Sequence, residues 1–255
     1  MIYLDVGGRG PGLVPPEQAM IPVGDRGLLY GDGLFETLLF AGGTVRNLDA
    51  HLERLSGSAA TLGIPCDLAH VERAIILVAE GSVSDLAVRV TLTRGGAGRR
   101  GYEPPPYASP TLMVTAAAYQ RPTGPLRAIT ATQVRVNPNS PLSRHKSLSA
   151  LEKVLARAEA SQAGCHEAIL LNIHGRVAEG AASNLFLRRG DRWLTPPLTE
   201  GCLPGIMRRQ VMRERGAAEA PLRVTDLLNA DGVYLTNALM GCIPLAELDG
   251  QPLDG

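Results

Sequence analysis

The chain has no excess of either charge: 25 basic residues face 25 acidic ones over 255 residues. Nothing in that balance favours nucleic acid or an acidic membrane surface as a partner. No apolar stretch approaches the length of a membrane span. The start, Met-Ile-Tyr-Leu-Asp, lacks the basic segment and apolar run of a secretion signal, so a cytoplasmic protein is expected. Cysteine is sparse and scattered: Cys66, Cys165, Cys202 and Cys242 form no Cys-x-x-Cys pair and meet no histidine at metal spacing. They read as reduced packing residues, and no metal site is expected. His51 and His145 read as local hydrogen-bond partners. Internal repeats and long low-complexity segments are also missing.

What is present is an alternation of short strands and helices, enough chain for one or two domains. Leu34–Leu39 reads as a strand that turns at Gly42-Gly43 and returns over Val45–Leu48. Asn47 or Asp49 can cap a helix carrying Leu52, Leu55, Ala59 and Leu62, which Gly63 stops. Leu68–Glu80 reads as a second amphipathic helix, and Leu86–Thr93 and Thr111–Ala117 as apolar, β-branched strands. Tyr119–Pro125, with two prolines and a glycine, is the candidate linker between domains over 1–118 and 126–255. Beyond it Ala128–Val136, Ala168–Ile173 with Arg176–Val177, Asn184–Arg188 and Gly232–Thr236 read as strands, and Gly205–Arg215 as a helix. The mixture predicts an α/β or α+β chain.

Two elements of this pattern carry chemistry. Lys146 stands between a Pro/Asn/Ser-rich turn and a run in which Leu148, Leu151, Val154, Leu155 and Ala158 recur at helical spacing. The spacing predicts a helix beginning just after the lysine, with that stripe as its apolar face. Taken alone, such a lysine is a solvated surface charge. Downstream, however, the strand-like stretch Gly175–Leu187 carries one lone carboxylate, Glu179, followed by small residues that leave room for a flat ligand. Lysine, lone carboxylate and small-residue wall point to an imine-forming cofactor site.

The segments HKSLSALEKVLARAEA, EAILLNIHGRVAEGAASNLFL and TPPLTEGCLPGIMR, with GDRGLLYGDGLFETLLF and HLERL upstream, resemble the fold-type IV pyridoxal-phosphate enzymes. That family includes branched-chain and D-amino-acid aminotransferases and aminodeoxychorismate lyase. The resemblance spans nearly the whole chain. It implies a small N-terminal domain, a larger barrel-like C-terminal one, and pyridoxal phosphate held between them in a homodimer. By motif, Lys146 holds the cofactor aldehyde and moves the proton, while Glu179 keeps the pyridine nitrogen protonated. Arg54 in HLERL matches the phosphate-binding arginine, and Gly205, Ile206 and Met207 match the phosphate loop, with Leu203 near the ring. Ser183, Asn184 and the turn through Asn237 and Ala238 complete the expected pocket.

Within the family, Thr93-Arg94-Gly-Gly-Ala-Gly-Arg-Arg100-Gly-Tyr102 resembles the Arg-Gly loop of the lyase, so Arg94 and Arg100 are expected to face a dicarboxylate substrate. Thr236-Asn237-Ala238-Leu239-Met240 is similar to the lyase's turn, and Thr37, after Phe35 and Glu36, falls where the lyase carries a threonine that assists catalysis. Phe35 is expected beside the substrate. Against this, Arg144-His145-Lys146-Ser147-Leu148 is closer to the common transaminase form. The resemblance therefore implies a lyase releasing 4-aminobenzoate and pyruvate, with an aminotransferase as the alternative. A non-catalytic vitamin-binding protein is a remote third.

Overall fold

The computed structural model describes residues 1–96 and 101–253, and the chain divides into two compact units. The first contains Met1–Gln120 together with Lys146–Ser149; the second contains Arg121–His145 and Ala150–Gly255. The break at Gln120 lies inside the proline-bearing stretch that the sequence marks as a linker. The assignment of Lys146–Ser149 to the first unit has no sequence signal, since chain belonging to the second flanks it on both sides.

In the first unit the strands are β1 (Ile2–Val6), β2 (Arg9–Val14), β3 (Gly33–Ala41), β4 (Thr44–Val45), β5 (Leu86–Thr93) and β6 (Thr111–Ala118). The helices are α1 (Arg26–Tyr30), α2 (Leu48–Leu62) and α3 (Leu68–Ala79). The six strands form one sheet in the order β2-β1-β6-β5-β3-β4, with antiparallel neighbours throughout. Side chains alternate across the faces of β3. Leu34, Leu38 and Phe40 enter a core with Leu52, Leu55 and Ala59 of α2 and Val71, Ala74 and Ile75 of α3. Phe35, Thr37 and Leu39 therefore belong to the other face. Leu38 is fully buried, and truncating such a side chain to alanine typically costs about 2–5 kcal/mol. Helix α2 ends at Gly63 in the left-handed conformation, as its sequence predicts; its start differs, since Asn47 is also left-handed and makes no side-chain capping bond.

The second unit has strands β7 (Leu126–Thr130), β8 (Glu167–Leu171), β9 (Val177–Gly180), β10 (Asn184–Arg189), β11 (Arg192–Thr195), β12 (Ala218–Glu219), β13 (Gly232–Asn237), β14 (Gly241–Leu248) and β15 (Gln251–Pro252). Helices α4 (Leu151–Gln162), α5 (Ile206–Arg215) and α6 (Val224–Leu228) complete it. The sheet runs β12-β11-β10-β13-β14-β7-β8-β9, with β15 on β14, and mixes parallel and antiparallel neighbours. β7 stops at Thr130, short of the predicted Val136, which instead makes an isolated bridge to Asn172. No described helix is long and apolar enough to cross a membrane.

The apolar stripe read after Lys146 needs correction. Helix α4 begins only at Leu151, and its buried residues are Ala156 and Ala160, whereas Leu151 (70%), Val154 (58%) and Leu155 (44%) are exposed. The helix lies close to β8 through alanines, and small side chains are what allow a close approach. Its larger apolar residues face outward.

Candidate active site

In the first unit, the lysine is held by strand pairing rather than by a helix. Phe35 N–H donates to the Lys146 carbonyl at 2.9 Å, Leu148 N–H donates to the Gly33 carbonyl at 2.9 Å, and Leu34 bridges Ser147. Gly33 makes this pairing possible: a Cβ there would lie 2.7 Å from both Leu148 Cδ1 and the Leu92 carbonyl oxygen. The Lys146 ammonium then stands 4.3 Å from the centroid of the Phe35 ring.

Arg89 sits on the same ring, its guanidinium carbon 4.0 Å from the centroid. It is exposed, lies directly opposite Thr37 in the β3–β5 register, and has no carboxylate partner among the described residues. Partial desolvation of its head group lowers its pKa from the ordinary arginine value, although the side chain still reaches solvent and a guanidinium stays charged. Sequence reasoning passed over Arg89. The signal was a lone cation inside the apolar run Val88-Arg89-Val90, which must point away from the core. One face of the first unit thus presents Lys146, Phe35, Thr37 and an unpaired arginine.

The opposite face of β3 carries Glu36, which is buried against α2. Arg54 donates to it twice, through Nε at 2.8 Å and a terminal nitrogen at 2.6 Å, and His51 Nδ1 lies 2.7 Å away. Burial alone would raise the Glu36 pKa, but the hydrogen bonds from His51 and Arg54 and their charges outweigh it and hold the carboxyl below its usual range. The bidentate grip fixes the plane of the Arg54 guanidinium.

Arg94 is not where an open substrate receptor would be. It is 6% exposed. Its nitrogens donate to Asp32 at 2.8 and 3.1 Å and to the carbonyls of Gly63 and Leu62 at 2.8 Å each. Asp32 also takes Arg26, whose other nitrogens hold the carbonyls of Gly101 and Tyr102. Arg94 therefore joins the end of α2 to the segment before β3, and all three of its guanidinium nitrogens are engaged. Arg100 lies outside the described residues.

In the second unit, Glu179 ends up deeply buried at 3% exposure near the end of β9. Both carboxylate oxygens are held: Lys153 Nζ lies 2.8 Å from Oε1, and Leu203 N–H donates to Oε2 at 2.9 Å. The Leu203 carbonyl in turn accepts from Asn184 Nδ2 at 2.9 Å. Ser183 donates to Glu167 Oε2 at 2.9 Å, and the amide of Ala182 reaches the same oxygen at 3.2 Å, so Glu167 braces the small-residue turn after Glu179. Burial raises the Glu167 pKa despite these donors and the nearby Arg157. Asn237 accepts from the amides of Leu239 and Met240 and donates to the Ala182 carbonyl, tying the turn through Ala238 to the same wall.

Helix α5 opens at Gly205 with no side-chain cap, followed by Ile206 and Met207. Its first turn carries backbone amides suited to an anion. A Cβ on Gly205 would overlap Asn184 Oδ1, so the loop tolerates only glycine at this approach. Cys202, just before it, is buried and its thiol is pushed up to about 12 by desolvation, which makes it a packing residue rather than a nucleophile.

These groups fit pyridoxal phosphate. The chain has only two lysines, Lys146 and Lys153; the first stands over the Phe35 ring and the second is paired with Glu179. A buried carboxylate, an uncapped helix start cleared by a glycine, and a buried Thr236 hydroxyl without a partner among the described residues match the demands of ring nitrogen and phosphate.

Comparison with known proteins agrees. The family model for amino-transferase class IV matches residues 33–248. A Methanocaldococcus jannaschii protein, provisionally named a branched-chain-amino-acid aminotransferase, is 34% identical over 251 residues, covering 94% of this chain and 87% of the relative. The D-alanine aminotransferase of Bacillus licheniformis is 32% identical over 255 residues, covering 94% and 87%. The crystal structure of the 4-amino-4-deoxychorismate lyase of Pseudomonas aeruginosa superposes with a TM-score of 0.83 at 34% identity, covering all of this chain and 93% of that one. The chain belongs to the class IV aminotransferase family and is a pyridoxal-phosphate-dependent enzyme.

Proposed function

We propose that this enzyme is an aminodeoxychorismate lyase, converting 4-amino-4-deoxychorismate to 4-aminobenzoate and pyruvate. The observation that carries the reading is the exposed face of β3 and β5, where Thr37 stands opposite the unpaired Arg89 and Phe35 lies under both Arg89 and Lys146. An unpaired guanidinium suits a carboxylate of a two-acid substrate. It takes the role that the sequence offered to Arg94.

When bound, the cofactor supplies an electron sink for the bond being broken. Lys146 holds the cofactor and removes the substrate's ring proton, and Thr37 assists that transfer through its hydroxyl. Glu179 meets the ring nitrogen; Arg54, Gly205, Ile206 and Met207 hold the phosphate. Leu203, Ser183, Asn184, Asn237 and Ala238 shape the wall. Loss of pyruvate aromatises the remaining ring, so no keto-acid acceptor is consumed.

The second reading, an aminotransferase acting on branched-chain or D-amino acids, is favoured by the His145-Lys146-Ser147-Leu148 sequence and by the transaminase names among the relatives. One experiment separates them. Purified protein incubated with aminodeoxychorismate and no keto acid is expected to yield 4-aminobenzoate and pyruvate. Amino-group exchange between an amino acid and 2-oxoglutarate, with no 4-aminobenzoate, would promote the second reading instead. A homodimer is part of the same proposal, supported by the exposed Leu151, Val154 and Leu155 of α4, and so is a cytoplasmic location; sedimentation and cell fractionation test them.

A further inference from the structure

Lys153 has no part in the function described so far, yet it is one of only two lysines in a chain that otherwise uses arginine for its basic residues. Its ammonium lies 2.8 Å from Oε1 of Glu179, the carboxylate assigned to the pyridine nitrogen. The other oxygen is held by the Leu203 amide. With Glu179 buried, this is a strong local interaction: the carboxylate has one direction fixed by backbone and one by a cation whose side chain reaches solvent at 39% exposure.

We propose that Lys153 is a positioning residue that tunes the cofactor's ring nitrogen through Glu179. The inference rests on the assignment of Glu179 to that nitrogen. An ammonium on Oε1 balances part of the carboxylate charge, so the ring N–H meets a moderated anion rather than a full one. Opposite charges at contact distance interact most strongly where water is scarce, and a second cation competes for the same anion. Lys153 thus weakens the hold of Glu179 on a protonated ring while keeping the carboxylate in one orientation. The device sits on α4, so its geometry is set by a helix rather than by a loop.

The test compares cofactor binding in full-length protein freed of cofactor, titrated with pyridoxal phosphate and with its 1-deaza analogue, in which carbon replaces the ring nitrogen. Only the first ligand senses the charge on Glu179 through a ring N–H. Lys153→Met is expected to raise the preference for pyridoxal phosphate over the analogue about three- to tenfold, and Lys153→Arg, which restores a cation, to return it toward wild type. The ring nitrogen's ¹⁵N chemical shift in the reconstituted protein is expected to move toward the fully protonated position in the methionine variant only. A merely structural lysine would alter the affinity of both ligands equally and leave the shift in place; that result overturns the proposal. Glu179→Gln keeps the two possible failures apart. If it abolishes the preference while Lys153→Met does not change it, Lys153 has no tuning role. If Glu179→Gln leaves the preference untouched, the assignment of Glu179 itself is wrong, and the inference goes with it.

Discussion

Replacing Arg94 by alanine is expected to damage the fold rather than substrate recognition. The wild-type guanidinium makes four hydrogen bonds from a site that is 6% exposed: two to Asp32 and one each to the carbonyls of Leu62 and Gly63. The hydrogen bonds from Arg94 and Arg26, with their charges, overcome burial and hold the Asp32 carboxyl below its ordinary range. Alanine removes all four contacts, leaves two carbonyls at the end of α2 unsatisfied, and leaves Asp32 to Arg26 alone. Breaking a buried ion pair from one side typically costs about 3–5 kcal/mol. For chains of this size each kcal/mol moves the melting temperature by roughly 2–4 °C, which gives a loss on the order of 6–20 °C. Circular-dichroism melting of wild type, Arg94→Ala and Arg94→Lys measures it. The lysine variant should recover only part, since one ammonium cannot reproduce a planar fork that reaches Asp32 and both carbonyls. A melting temperature within a degree or two of wild type, with KM raised tenfold or more, would refute this account and return Arg94 to the substrate.

Arg89→Ala should behave oppositely: kcat/KM for the carboxylate substrate falls by about ten- to hundredfold, with the melting curve and the cofactor's absorbance unchanged. Gly205→Ala inserts a methyl group into the space of Asn184 Oδ1, and equilibrium titration should show cofactor affinity weakened by about tenfold, the worth of one displaced charged hydrogen bond. Glu36→Gln should flatten the acid limb of stability. The folded-state pKa of Glu36 is depressed, so its contribution is fully present above the ordinary carboxylate value near about 4.3 and is lost as pH falls through the lower folded value. Chemical denaturation between pH 3 and pH 7 should therefore show a shallower decline below pH 4.5 in the variant, from a lower plateau at neutral pH.

Much of the first unit was readable from sequence because its elements carry clean periods. β3, α2, α3, β5 and β6 fall within a residue or two of the spacing-based expectation, with Gly63 stopping α2 in the conformation a glycine permits. β1 and β2 lie outside the elements expected from sequence: β1 is only five residues long, β2 is glycine-rich, and their place in the sheet rests on pairing with β6 and with each other. For α4 the visible stripe and the buried stripe differ: alanine is a weak hydrophobic signal, yet Ala156 and Ala160 are the residues buried.

The two arginines at β5 show a similar split. Arg89 and Arg94 lie five residues apart, one in β5 and one just beyond its end, and nothing local tells which of them is neutralised. The answer lies in Asp32, Leu62 and Gly63, contacts made across about thirty to sixty residues of chain. Lys153 carries no signal of its own in the sequence; its partnership with Glu179 joins α4 to β9 and is invisible to helical spacing alone.

The strand-like run Lys146–Leu148 has a consequence for how the chain can be divided. Its bonds to Gly33 and Phe35 cover the first residues of β3, while β4 pairs with Phe40 and Ala41 at the other end. A fragment ending at Gln120 would keep the core of its sheet but expose the Phe35 amide and the Gly33 carbonyl along a bare edge, next to apolar residues. Such edges recruit other chains. The backbone of Lys146 is thus also a seal on the sheet, and a first unit severed from this run is expected to self-associate.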